Sequence, residues 1–167
     1  MSAQNIRQLK NEIRIPKVMG KVLFNSNMSS LTWLKAGGKA KIFYSPLDVS
    51  DLQNFLTKLD NKISIYILGE GSNTLFRDLG YDGVVIKLNK KFDYHNISNK
   101  KKIKVGAATN CIKLARILAN NGIGGLEFFS GIPGTVGGAI KMNAGAYGKE
   151  TSSFLEEIKV INRTGEI

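Results

Sequence analysis

Glycine is concentrated in one stretch of this chain, and that stretch limits the folds open to it. Half of the 18 glycines lie between Gly122 and Gly148, in a sequence that is not repetitive. A second glycine turn, Gly69-Glu-Gly-Ser-Asn73, follows a strand-like run at 63–68. Glycine removes the Cβ atom and permits positive φ, so backbone N–H groups in such loops can approach a ligand closely. The pattern predicts two backbone-lined loops on a globular scaffold and excludes a coiled coil or a fibre.

Composition narrows the class of protein further. With 167 residues, 43% of them hydrophobic, the chain can form one domain or two small sub-domains that share a core. One cysteine and one histidine exclude a disulfide framework and a Cys-rich or multi-histidine metal site, so no metal is predicted. No apolar run approaches the roughly 18 residues that a membrane span requires. The charged N-terminus lacks a signal-peptide core, so we expect a cytoplasmic protein without a membrane partner.

The net charge of +11 suggests an anionic partner, either nucleic acid or a phosphorylated small molecule. The densest basic run, Lys100-Lys-Lys-Ile-Lys104, contains no aromatic residue, whereas nucleic-acid interfaces usually combine basic and aromatic side chains. A solvated hairpin tip and a general preference for lysine explain the charge better. We therefore expect no nucleic-acid partner, and a non-catalytic basic nucleic-acid module remains the alternative from another functional class.

Hydrophobic periodicity predicts two halves of different character. The first half has a β-α-β-loop-β order, typical of a small and largely parallel unit, and the second combines an antiparallel pair with helices. Residues 1–30 are predicted to be irregular, with at most a weak helix near Ile6–Ile13. Asn162 to Gly165 resembles a hairpin turn, so we expect the natural chain to continue past Ile167. The predicted elements are strands at 40–44, 63–68 and 83–88, a helix from Asp48 or Ser50 to Leu59, antiparallel strands at 92–97 and 103–108, a helix at 110–121 stopped by Gly122, a short helix capped by Thr135, and a strand at 154–162.

The turn from Gly69 to Asn73 is the first candidate site. Consecutive backbone N–H groups in a glycine turn after a buried strand bind phosphate oxygens without a cationic side chain. Thr74 stands where a dinucleotide fingerprint needs a third glycine, the Lys of a P-loop is missing, and Ser72 lies outside a Gly-x-Ser-x-Gly elbow. A tight turn between strands, without ligand, is the alternative.

The second candidate lies between Gly125 and Gly148. Pro133-Gly134 forms a turn, and Thr135 caps a short helix whose first turn is made of small residues. Asn143 to Gly148 offers another wall of small residues, in which Tyr147 is the bulky exception. A glycine-rich core crossing would explain the stretch equally without a ligand. Two backbone-donor loops in one chain favour an extended ligand that bears phosphate.

Four motifs in order resemble one enzyme family. They are Leu31-Thr-Trp-Leu-Lys-Ala-Gly-Gly-Lys-Ala40, Leu68-Gly-Glu-Gly-Ser-Asn73, Gly131-Ile-Pro-Gly-Thr-Val-Gly-Gly138 and Met142-Asn-Ala-Gly-Ala-Tyr-Gly148. Over residues 30–150 the chain resembles the N-terminal, FAD-binding half of UDP-N-acetylenolpyruvoylglucosamine reductases, closest to their shorter class. The Gly-x-Gly-Ser-Asn turn alone would also fit the wider vanillyl-alcohol-oxidase group, so another flavin oxidase or dehydrogenase of that fold stays open.

The resemblance implies an α+β fold, namely a two-sub-domain FAD-binding fold of the vanillyl-alcohol-oxidase (PCMH) type that is C-terminally incomplete. The implied segments are an N-terminal stretch (1–30), a β-α-β sub-domain (31–90) and an antiparallel and helical sub-domain (91–167), without the substrate domain. The implied activity is the NADPH-driven reduction of UDP-N-acetylglucosamine enolpyruvate to UDP-N-acetylmuramate in peptidoglycan precursor synthesis. The implied partners are thus NADPH and a UDP-sugar, and the oligomeric state is left open.

The resemblance also assigns site residues. The FAD pyrophosphate would lie on the 69–73 turn and on 133–138, and the 143–148 stretch would lie nearer the flavin. His95 and Cys111 lie outside the turn where a covalent link would be expected, so FAD is predicted to be non-covalent. The family's catalytic arginine, serine and glutamate are expected beyond Ile167, so no catalytic residue is assigned here and the 167-residue chain alone is expected to be inactive. The predicted cofactor-binding residues are Gly69, Glu70, Gly71, Ser72, Asn73, Pro133, Gly134, Thr135, Gly137, Gly138, Asn143, Ala144, Gly145 and Tyr147.

Overall fold

A computed structural model describes residues 14–99 and 102–167, and the predicted weak helix at 6–13 lies outside these ranges. The strands are β1 (Lys21–Asn27), β2 (Lys39–Ser45), β3 (Ile65–Ile67), β4 (Tyr81–Ile86), β5 (His95–Asn99), β6 (Lys102–Val105), β7 (Gly145–Ala146) and β8 (Lys149–Glu150). The helices are α1 (Val49–Lys58), α2 (Cys111–Asn120) and α3 (Val136–Met142), with short 3-10 helices at Ser29–Leu31, Lys90–Phe92, Glu127–Gly131 and Thr151–Phe154.

The chain forms two compact units. Of the described residues, 14–68, Thr74–Lys87 and Lys159–Ile167 form unit 1. Unit 2 comprises Gly69–Asn73 and Leu88–Ile158. This division differs from the predicted segments because the 69–73 turn makes its contacts within unit 2 and the last nine residues return to unit 1.

Unit 1 contains a four-stranded mixed sheet of order β1-β2-β4-β3 and helix α1. β2, β4 and β3 are mutually parallel, and β1 pairs antiparallel with β2. The inner strands contribute fully buried residues such as Ile42, Val84 and Ile86, as expected for a parallel sheet. Asp48 caps α1 by accepting a hydrogen bond from Asp51 N, so the predicted helix and its start are confirmed.

β1 corrects the prediction that residues 1–30 are irregular. Its residues alternate between exposed and half-buried, and Lys21, Asn25 and Ser26 dilute the apolar pattern. Asn25 adopts φ of +50°, which further breaks the strand regularity. β1 is an edge strand, and it is held by its register with β2, from Lys21 opposite Ser45 to Asn27 opposite Lys39. Sequence periodicity cannot show that partner.

A buried carboxylate fastens the N-terminal part of unit 1. Asp51 accepts hydrogen bonds from the backbone N–H of Met19 and of Gly20 at 2.8 Å, and from Leu47 N at 2.9 Å. The Tyr44 hydroxyl donates a fourth, at 2.7 Å. Burial alone would raise the pKa of Asp51, but these hydrogen bonds outweigh it and hold the pKa below the ordinary value.

Unit 2 contains the antiparallel pair β5–β6, helix α2 and the hairpin β7–β8. Asn110 caps α2, and Gly122, with φ of +65°, follows its end as predicted. Tyr147 and Gly148 form the turn between β7 and β8 with positive φ at both positions, the geometry of a type I′ turn. The hydrophobic core of unit 2 is formed by Cys111, Leu114, Ala115, Leu118, Phe128, Phe129, Ile132, Val136 and Ala139.

The predicted strand at 154–162 is wrong. Residues 151–154 form a 3-10 helix, and residues 155–162 have no regular secondary structure. The predicted turn after it is present, since Gly165 N donates to Asn162 O at 3.1 Å. Within unit 1, Arg163 donates to Ile63 O at 3.0 Å and Gln53 donates to Gly165 O at 2.8 Å. The apolar alternation at 154–162 thus occurs without a paired strand.

Among residues 14–99 and 102–167, no helix has both the length and the apolar character needed to cross a membrane.

Candidate functional site

The 69–73 loop offers a row of backbone donors. It follows β3 by one residue, and Gly71 adopts φ of +71°, a conformation that favours glycine. Within the described chain, the N–H groups of residues 70–73 donate to no acceptor. Four consecutive free N–H groups in a glycine turn are suited to an anion such as a phosphate.

The 69–73 loop lies directly against the 133–138 segment, as two close approaches show. Ser72 Oγ donates to Pro133 O at 2.8 Å. A Cβ atom added at Gly69 would lie 2.8 Å from Thr135 Oγ1, so any larger residue there would displace the Thr135 side chain. The structure therefore brings together the two loops that the sequence singled out separately.

Within the 133–138 segment, the free donors are few. Thr135 caps α3 by accepting from Gly138 N at 3.2 Å, as the sequence predicted. Val136 N donates to Thr109 O at 2.8 Å, and Gly137 N donates to Ala107 O at 2.9 Å. In the described part of unit 2, the N–H groups of Gly134 and Thr135 stay unbonded. Gly137 and Gly138 can therefore offer a ligand a small surface and no further backbone donor.

The 143–148 segment is the hairpin that follows α3. Asn143, with φ of +45°, ends α3, and its side-chain oxygen accepts from Ser152 N at 2.9 Å. Tyr147 is 82% exposed, and a Cβ atom at Gly131 would lie 2.9 Å from its ring. Among the described residues, no hydrogen bond joins this hairpin, which includes the predicted site residues Ala144 and Gly145, to the 69–73 loop.

The structure adds one side chain that sequence reasoning did not assign to the site. Asn110 Nδ2 donates to both carboxylate oxygens of Glu70, at 2.9 and 3.0 Å. The only signal in the sequence was a polar residue directly before a helix, which predicts a cap and no contact with a loop 40 positions away.

Cys111 is a packed structural residue. It lies in the first turn of α2, where a helix can lower a thiol pKa, but its side chain is fully buried. Burial, with the nearby Glu70 carboxylate, raises the pKa of Cys111 to about 12. In the parts of the chain that the structure describes, no three His, Cys, Asp or Glu side chains are grouped so that they could hold a metal ion.

Comparison with known proteins defines the class to which this fold and these loops belong. Residues 40–167 match the family described as "FAD binding domain", and the chain belongs to that family. The names of its relatives are more specific than this family description. The chain is 43% identical to UDP-N-acetylenolpyruvoylglucosamine reductase of Caulobacter vibrioides over 92% of its length, and 45% identical to that of Orientia tsutsugamushi (strain Ikeda) over 92%. It is 42% identical to that of Pelagibacter ubique over its whole length.

A solved structure agrees with these relatives. The crystal structure of UDP-N-acetylenolpyruvylglucosamine reductase from Thermus caldophilus superposes with a TM-score of 0.63 and 31% identity, covering 80% of this chain and 46% of that one. The chain covers 51%, 52% and 54% of the three relatives, and so spans about half of their length. These findings confirm the resemblance, the α+β FAD-binding fold and FAD as the cofactor.

Proposed function

We propose that this chain is the FAD-binding part of an NADPH-dependent UDP-N-acetylenolpyruvoylglucosamine reductase, which forms UDP-N-acetylmuramate for peptidoglycan. The names of the relatives support the reaction. The observation on which the proposal depends is the row of free N–H groups at 70–73 beside the Pro133–Thr135 turn.

The residues present fit the cofactor. A pyrophosphate needs hydrogen-bond donors and close backbone approach, and both loops supply these without a cationic side chain. Ser72 holds the first loop to Pro133 O, while Gly134, with φ of +125°, leaves its N–H free. When bound without a covalent link, FAD supplies hydride chemistry that no side chain can perform.

The proposed roles follow the position of each residue. Residues 70–73, with Gly134 and Thr135, donate backbone N–H groups to the pyrophosphate, while Gly69 and Pro133 line it without donating. Because Gly137 and Gly138 carry no side chain, the first turn of α3 lets the ligand approach the backbone closely. The hairpin residues lie nearer the flavin, namely Asn143, Ala144, Gly145 and Tyr147. NADPH and UDP-N-acetylglucosamine enolpyruvate are the proposed partners. A cytoplasmic location is part of the same proposal. The arginine, serine and glutamate of the resembling family are not assigned to any residue here.

Substituting Gly71 by Ala tests the proposal. Ala at φ of +71° is strained, and its Cβ lies on the loop that donates to the pyrophosphate. We expect FAD, added to the purified chain and followed by flavin fluorescence, to bind about tenfold more weakly or worse, since charge-assisted hydrogen bonds are lost.

Gly122→Ala is the matched control. Its φ of +65° imposes similar strain, and its added Cβ meets nothing within 4 Å. It follows α2, outside both loops. We expect FAD affinity close to that of the unchanged chain. If the unchanged chain takes up no FAD, or if both variants lose affinity equally, the proposed site is wrong.

A further inference from the structure

Asn110 connects a helix to the 69–73 loop with a single side chain. Its Oδ1 accepts from Lys113 N at 2.9 Å and caps α2. Its Nδ2 donates to both carboxylate oxygens of Glu70, the first residue of the free N–H row. All of these groups lie in unit 2.

Both ends of a carboxamide are used here. The cap requires an acceptor, and the Glu70 carboxylate requires a donor. Aspartate would cap equally well but would present a carboxylate to a carboxylate. Serine would cap too, with a side chain too short to provide a second donor across the same gap. Asparagine is thus the residue type that satisfies helix and loop together.

The position of Glu70 makes this contact important. Its carboxylate is the one formal negative charge in the 69–73 loop, whose free N–H groups are suited to an anion. A carboxylate free to turn over that loop would repel a phosphate and compete for the same donors. The bond to Asn110 keeps the charge at the start of α2, where the helix dipole favours it. The effect of Glu70 on the pKa of Cys111 agrees with this placement.

We propose that Asn110 is a positioning residue for FAD, which holds the Glu70 carboxylate away from the pyrophosphate and fixes the 69–73 loop before the cofactor arrives. The inference rests on the proposed function. Asn110 acts through Glu70 and touches no phosphate itself. Its contribution is pre-organisation, which raises affinity by lowering the ordering cost of binding.

Asn110→Asp separates the two uses of the side chain. It retains the cap of α2, so thermal unfolding should change little. It also sets two carboxylates against each other, so we expect FAD to bind about tenfold more weakly.

The rescue variant adds Glu70→Gln to Asn110→Asp. The glutamine amide can then donate to the aspartate, which restores the hydrogen bond with reversed polarity. We expect the double variant to bind FAD within about threefold of the unchanged chain.

The outcomes are distinguishable. If the unchanged chain binds FAD and Asn110→Asp binds it equally well, the positioning role is wrong and the proposed function stands. The same conclusion follows if Glu70→Gln fails to rescue Asn110→Asp. If the unchanged chain does not bind FAD, the proposed function fails and this inference fails with it.

Discussion

Two buried side chains show how burial and hydrogen bonding compete at single residues. Asp51 is only 6% exposed, yet four hydrogen bonds keep its pKa low and its charge in place. Cys111 is fully buried and faces one backbone donor, its own N–H, which does not offset burial, so its pKa is raised to about 12. Burial disfavours the charged form of both groups, and the number of donors that face each group decides the result.

Asp51→Asn should destabilise unit 1 by about 2–3 kcal/mol at pH 7, because an amide nitrogen cannot accept the hydrogen bonds that the carboxylate oxygen receives. Urea unfolding followed by the fluorescence of Trp33, the single tryptophan of the chain, measures the loss within unit 1. Asp48→Asn is the control, since asparagine preserves the cap of α1.

The stabilisation that Asp51 provides should depend on pH. The folded pKa of Asp51 lies below its unfolded value, so its contribution is complete above the unfolded pKa and is lost as the pH falls through the folded pKa. The stability difference between the unchanged chain and Asp51→Asn should therefore shrink below about pH 4. A difference that stays constant from pH 7 to pH 3 would contradict the stabilising role of the Asp51 hydrogen bonds.

Cys111 should resist alkylation in the folded chain. At pH 8 its thiol is almost entirely protonated and out of contact with solvent. Iodoacetamide, followed by mass spectrometry, should label the chain in urea and leave the native chain unlabelled over the same time. Rapid native labelling would show that the residue is exposed and reactive.

At the scale of elements, sequence patterns succeed where a segment specifies itself. The cap at Asp48, the apolar face of α1, the stop at Gly122 and the cap at Thr135 are local signals, and the structure has each of them. The predictions for β1 and for residues 155–162 are wrong for the converse reason, because a strand is defined by the neighbour with which it pairs.

The candidate site divides in the same way. Its two loops are visible as glycine patterns, because the need for positive φ or close approach is local. Their meeting through Ser72 and Pro133, and the bond from Asn110 to Glu70, depend on the tertiary fold and leave no mark on spacing. Gly137 is also required to be small by its packing against Ala107. From the sequence alone, the same glycine would be explained by a ligand.

A pair of substitutions in α3 tests this packing reason. A Cβ atom at Gly137 would lie 3.0 Å from both Cβ and O of Ala107, whereas one at Gly138 would lie 3.3 Å from the Thr135 hydroxyl. Both changes to alanine gain similar helix propensity. We expect Gly137→Ala to be less stable than Gly138→Ala by about 1–2 kcal/mol, measured by thermal unfolding followed by circular dichroism. Equal stabilities would show that the contact with Ala107 yields freely.

For the whole molecule, the proposed function leads to a prediction about turnover. The chain spans about half the length of its relatives, and none of its residues is assigned as the catalytic acid. A positioned acid contributes about 10²- to 10⁴-fold, and orientation of the substrate contributes about 7–11 kcal/mol. We expect the 167-residue chain with FAD and NADPH to show no reduction of UDP-N-acetylglucosamine enolpyruvate.

Stopped-flow reoxidation of the flavin on addition of the enolpyruvyl substrate measures this. The full-length relative from Caulobacter vibrioides is the positive control. Turnover by the 167-residue chain within about tenfold of that control would mean that the catalytic groups lie within these residues.

The three-part composition of unit 1 has a consequence for how a ribosome delivers this protein. Residues up to 87 emerge first, but Arg163, whose side chain holds the carbonyl oxygen of Ile63, leaves the exit tunnel only after all of unit 2. At about 5–20 residues per second, that interval is roughly 4–15 s. Unit 1 is therefore begun first and completed last. While unit 2 is being synthesised, the nascent sheet of unit 1 lacks Lys159–Ile167.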